Sequence, residues 1–110
     1  MTTMQHPEDI RDVIRELCDR ASDASAEVYE LCDDSDSADA DAAYALAEAT
    51  EDLSMEAIDI CRELRLLQWS TDARSGAQID RLHARLASLL TIATEHADEV
   101  DAILTARIAR

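Results

Sequence analysis

Ten consecutive residues, DDSDSADADA from Asp33 to Ala42, carry five aspartates among serines and alanines. Carboxylates at that density could hold a divalent cation. A calcium loop needs oxygen ligands at alternating positions, a glycine at the sixth and a glutamate at the twelfth. Counted from Asp34, Asp36 fits, but the fifth, sixth and twelfth positions are Ala38, Asp39 and Ala45. Starts at Asp33 and Asp39 fail in the same way. His6, His83 and His96 have no His or Cys at zinc-ligand spacing. No Glu-x-x-His of the di-iron bundles occurs, since Glu95 and His96 are adjacent. Cys18, Cys32 and Cys61 form no CxxC and are odd in number, which fits free thiols in a reducing compartment. Nothing in their spacing pairs a cysteine with a histidine as a nucleophile. Glycine-rich phosphate loops and a nucleophile-elbow serine are absent from the sequence. No catalytic residue, metal or cofactor is therefore expected, and the chain reads as a non-enzyme.

The charge is the outlier. In 110 residues the formal net charge is -15, and every basic residue is arginine. Such a surface repels nucleic acid and anionic membranes and attracts basic partners. The N-terminus MTTMQHPEDI has neither the basic region nor the apolar stretch of a signal peptide. No apolar run approaches the roughly 20 residues of a membrane span. A cytoplasmic protein of one domain, residues 1–110, is expected.

One glycine and one proline leave little material for β-turns, whereas Ala and Leu suit helices. Three stretches carry a heptad seam. The first contains Ile10, Ile14, Leu17, Ala21, Ala24, Val28 and Leu31. The second contains Ala43, Leu46, Thr50, Leu53, Ala57, Ile60, Leu64 and Leu67. The third contains Ile79, Leu82, Leu86, Leu89, Ala93, His96, Val100 and Ile103. Pro7 suits a first helical turn. Ser35, Asp36 and Ser37 supply caps for the second helix, and Ser75 with Gln78 reads as a capping box for the third. The spacing predicts helices at about 7–33, 38–70 and 76–109. Short links force antiparallel neighbours, so the expected fold is all-α, an elongated up-down-up antiparallel three-helix bundle with coiled-coil-like heptad packing. His96, at a seam position, reads as a hydrogen-bonded core residue or a register device rather than a ligand, and the cysteines beside seam residues read as small hydrophobes.

The outward faces differ. On the first helix they are Asp9, Asp12, Glu16, Asp19, Asp23, Ala26, Glu30 and Asp33, with Arg11, Arg15 and Arg20 displaced to the flanks. Like charges one turn apart cost about 0.2–0.5 kcal/mol per pair on an isolated helix. The theme continues through Asp34 and Asp36 to Asp41, Glu48 and Asp52 on the second helix. Further on, Met55, Leu66 and Trp69 fall on outward positions, with Ile58 and Cys61 nearby. The third helix is expected to wrap over part of that face. A homodimer or partner contact there is the alternative.

In charge pattern and helical composition, residues 8–59 resemble the acidic DNA-mimic inhibitors of phages and mobile elements, of anti-restriction and anti-CRISPR type. The resemblance implies that the carboxylates of EDIRDVIRELCDRASD and DDSDSADADA stand in for phosphates and block a basic nucleic-acid-binding protein or complex. Two other accounts of the charge remain open. One is an adaptor or structural bundle, dimeric through Met55, Leu66 and Trp69, whose acidity serves solubility. The other is a uniformly acidic proteome, in a salt-adapted or high-GC source. Against the latter, the charge is uneven: the first helix is saturated with carboxylates, while Arg81, Arg85, Arg107 and Arg110 sit on the third.

Overall fold

The computed structural model describes residues 6–32 and 37–109. Three helices, α1 (Pro7–Leu31), α2 (Ser37–Leu67) and α3 (Ser75–Ile108), pack against one another in all three pairings, with no strand among the described residues. At about 1.5 Å per residue they are rods of about 37, 46 and 51 Å. The bundle measures 59 × 29 × 16 Å. Its radius of gyration is 17.3 Å, against about 13 Å for a compact globule of this length.

Side-chain bonds between helices fix their directions. Glu63 meets Gln78, and Glu56 meets Arg85, so α2 and α3 are antiparallel. Arg65 meets Glu8, which makes α1 and α2 antiparallel as well. Arg20 meets Asp98 and Asp101, leaving α1 parallel to α3. The up-down-up topology follows.

The core is the expected seam with one change of width. Ile14, Leu17, Val28, Ile60, Leu64, Leu86, Leu89 and Val100 are buried. Between them lie Ala21, Ala24, Ala43, Ala57, Ala93 and Ala97, also buried. Alanine lets helix axes approach at the close end of the usual 8–10 Å range. The buried stripe is wider than a strict heptad seam, taking in Ser25, Ala40, Ala47, Ser54 and Cys61. Thr50 is fully buried on the seam, and its hydroxyl donates to the Leu46 carbonyl of its own helix at 2.7 Å. His96 is only half-buried.

The ends of the helices depart from expectation at several points. Pro7 opens α1, and the His6 carbonyl accepts from the amides of Asp9 and Ile10. Leu31, assigned to the seam, is 50% exposed. α1 stops there, one turn past its last buried residue, Val28. The last turn of α1 holds no basic residue of its own. Arg107 of α3 supplies one, donating to the Leu31 carbonyl at 3.2 Å and lying 3.6 Å from the Asp39 carboxylate. Its side chain is 6% exposed. A guanidinium at a helix C-terminus satisfies a carbonyl and complements the dipole, and here it also ties the end of α1 to the start of α2. Ser35 and Asp36 lie outside the described residues.

The capping box at Ser75 is not formed. Ser75 is the first residue of α3 rather than its cap, and its hydroxyl donates to Ser70 Oγ at 2.8 Å. Gln78 reaches across to Glu63 instead of back to its own backbone. Asp72 organises the turn, its carboxylate accepting from the Arg74 amide at 2.9 Å and its carbonyl from the Ser75 amide at 3.1 Å. The link is thus stitched by a turn begun by Asp72, three residues before the predicted cap.

With so much of the core made of alanine, each large buried side chain counts. Leu89→Ala should cost about 2–5 kcal/mol, whereas Leu31→Ala should cost under about 1 kcal/mol because half of it already faces water. Urea denaturation of the two variants measures both; equal losses would contradict the placement of Leu31.

Candidate functional site

The acidic face begins with α1. Asp9, Asp12, Glu16, Asp19, Asp23 and Glu30 are all exposed, as are Asp41, Glu48 and Asp52 on α2. Asp33, Asp34 and Asp36, assigned to the same surface, lie outside the described residues. Position by position, the outward face of α1 is therefore where the heptad spacing puts it.

The arginines are arranged to leave most of that face uncompensated. Arg20, Arg65 and Arg85 bridge helices, reaching Asp98 and Asp101, Glu8, and Glu56. The Arg107 side chain is buried at the far end of the bundle. One member of the stripe is an exception, because Arg11 holds Asp12 at 3.1 Å. No ion pair among the described residues engages Asp9, Glu16, Asp19, Asp23, Glu30, Asp41, Glu48 or Asp52. The cause lies in the sequence. Arg20 sits beside the seam and is drawn to α3, whereas the ladder from Asp9 to Asp23 lies opposite the seam and only Glu30 borders α2.

Cavities flank the bundle, and among those formed by the described residues two bear on function. The first is a groove of about 520 Å³ between α1 and α2. Tyr29 and Tyr44 line it, exposed by 74% and 63%, together with Ser25, Glu30, Glu48 and Glu51. Sequence reasoning took Glu30 and Glu48 for the acidic face and missed the tyrosines and Glu51. A signal was present: Tyr29 follows the seam residue Val28, and Tyr44 follows Ala43, so each ring must stand at the edge of its interface.

The second cavity, about 650 Å³, lies at the opposite end and is lined by His6, Cys61, Arg65, Trp69 and His83 among others. It brings two histidines and a cysteine to one place, which their separation in sequence did not indicate. The thiol is not activated there. Cys61 is buried, its thiol donates to the Pro7 carbonyl at 3.4 Å, and burial pushes its pKa up. A thiol held neutral is a poor nucleophile. Cys18 is likewise pushed up, first by burial and then by Asp19 and Glu51. No group of three His, Cys, Asp or Glu among the described residues is placed to hold a metal ion.

The apolar face of α2 corrects an expectation. α3 does not wrap over it. Met55, Ile58, Leu66 and Trp69 remain exposed, Trp69 by 79%, while Cys61 turns inward to the core. The reason is angular: the α2 residues that meet α3, Glu56 and Glu63, lie to one side of this stripe. α2 also ends at Leu67, so Trp69 stands in the turn beyond it.

No known family model matches the chain, and no curated protein or solved structure matches it significantly. No helix among the described residues is long and apolar enough to cross a membrane.

The interhelical pairs carry a pH signature. The Arg65 guanidinium holds the Glu8 carboxyl below its ordinary 4.5, and Arg85 does the same to Glu56. Lowered carboxyl values mean that the stabilisation is present above about pH 4.5 and is lost as pH falls through the folded values. The double variant Glu8→Gln/Glu56→Gln lacks that titration. Its melting temperature should fall less steeply than that of the unaltered chain between pH 5 and pH 3, roughly speaking. Parallel curves across that interval would remove these pairs from the account.

Proposed function

We propose that this chain is a non-enzymatic, cytoplasmic protein-binding inhibitor that presents an acidic, DNA-like surface to a basic nucleic-acid-binding protein or complex, in the manner of anti-restriction and anti-CRISPR proteins. One observation carries the reading: the carboxylates along α1 are exposed and mostly unpaired, while the bridging arginines are committed to other helices. From Asp9 to Glu30 seven carboxylates, Glu27 included, follow one another along the rod. Their mean axial spacing is about 5 Å, of the same order as the roughly 3.4 Å per phosphate along one DNA strand. A basic cleft built to receive phosphates can receive such a rod, and an unpaired carboxylate enters it without first breaking an internal ion pair. Rigidity helps too, since α1 is braced by both other helices.

A second reading rests on a different observation. Met55, Ile58 and Leu66 on α2, with Trp69 in the turn beyond it, form an exposed apolar stripe, and a stripe ending in Trp suits a protein contact. On that reading the chain is an adaptor or structural bundle, dimeric through this face, with no nucleic-acid mimicry.

The two readings part on mutation. Neutralising Asp12, Glu16, Asp19 and Asp23 to Asn or Gln should lower affinity for the partner about tenfold or more, and leave helicity unchanged or raised, because like-charge repulsion along α1 is relieved. Titration calorimetry and circular dichroism check both halves. Binding that survives neutralisation but fails in Trp69→Ala would establish the adaptor reading instead.

A further inference from the structure

The groove between α1 and α2 is more than the edge of an acidic face. Its lining combines three kinds of group: the rings of Tyr29 and Tyr44, the carboxylates of Glu30, Glu48 and Glu51, and the Ser25 hydroxyl. Ser25 is the informative one. It is only 7% exposed, and no hydrogen bond engages its hydroxyl among the described residues. No buried side-chain oxygen among those residues is both sealed from solvent and without a partner. The Ser25 oxygen therefore opens on the groove it lines as an unused acceptor. Glu30, Glu48 and Glu51 join no ion pair among the described residues either.

We propose that this groove seats an arginine side chain of a basic partner protein, its guanidinium stacked on Tyr29 or Tyr44, paired with the Glu30, Glu48 and Glu51 carboxylates and donating to Ser25 Oγ. The occupant follows from the chemistry of the lining. Three carboxylates select a cation. Two tyrosine faces favour a planar, weakly hydrated one over a compact ammonium, because guanidinium stacks on rings and presents five donors at once. An acceptor on a residue this buried suits the end of a long side chain. A second copy of this chain is disfavoured there, since its own net charge is -15. The proposal rests on the reading above only for the basic character of the partner, and it names one anchor within that partner.

The test uses the full chain and two blocked peptides, tetra-arginine and tetra-lysine, titrated while the tyrosine ring signals are followed by NMR. The expected result is that tetra-arginine shifts the Tyr29 and Tyr44 signals and binds about three-fold or more tighter than tetra-lysine. Tyr29→Leu/Tyr44→Leu, at exposed positions, should abolish that preference and leave tetra-lysine binding about unchanged. Tyrosine signals that stay fixed, or a double variant that keeps the arginine preference, would overturn the proposal and reduce the groove to part of a diffuse negative field. Asp12, Glu16, Asp19 and Asp23 do not line the groove. Titrating the chain neutralised at those four positions therefore separates the two claims. Tyrosine shifts that persist there support the groove even if the partner is no longer bound.

Discussion

Everything in this molecule depends on an alanine-rich apolar seam holding three long helices together against their own charge. The seam is rich in alanine, so it draws the helices close but gains less from each residue than a leucine core would. Opposing it is a net charge of -15, whose self-repulsion destabilises a compact state. The arrangement of arginines follows from this conflict. Placed at helix–helix boundaries, Arg20, Arg65 and Arg85 each turn a repulsive pair of acidic rods into a locally attractive one. Each such exposed pair contributes only about 0–1 kcal/mol, so their value lies as much in fixing which helices meet, and in which direction, as in raw stability. Arg107 does a related task at the far end, where α1 finishes without a basic residue of its own.

Arg20, Arg65, Arg85 and Arg107 are engaged at the helix boundaries, and apart from the Arg11–Asp12 pair the outer face of α1 is left as uncompensated carboxylate. Nothing about the fold requires that. Lysine or glutamine at Glu16, Asp19 or Asp23 would keep the seam intact and relieve repulsion between turns. The surplus charge is thus a property the fold tolerates rather than uses, which is why a partner is the natural place to look for its purpose. The groove beside it sharpens this, since Tyr29, Tyr44 and Glu51 add shape and ring faces to what would otherwise be charge alone.

Much of the architecture was legible because it rests on period. The seam residues recur at steps of three and four, and nearly all of them are buried or half-buried where that rhythm places them. The outward carboxylates were legible for the same reason, being the complement of the seam. What failed was information that one helix does not carry about another. Ser75 and Gln78 have capping-box spacing, but Glu63 of α2 competes for Gln78 and Asp72 takes over the turn. Leu31 continues the heptad in sequence, yet the helix ends there. Whether Met55, Leu66 and Trp69 are covered depends on the rotation of α2 relative to α3, which no repeat specifies. The tyrosine groove was missed because it belongs to neither helix, arising only when the edges of two interfaces are laid side by side.

The central claim is that the carboxylate face of α1 occupies a site built for nucleic acid. Competition tests it most directly. The partner would be captured on the immobilised chain and then challenged with duplex DNA at several salt concentrations. The account predicts that the captured protein binds nucleic acid, that duplex displaces it from the chain, and that its affinity for the chain falls as salt rises. A captured protein that holds nucleic acid and this chain at the same time, with an affinity indifferent to salt, would contradict it.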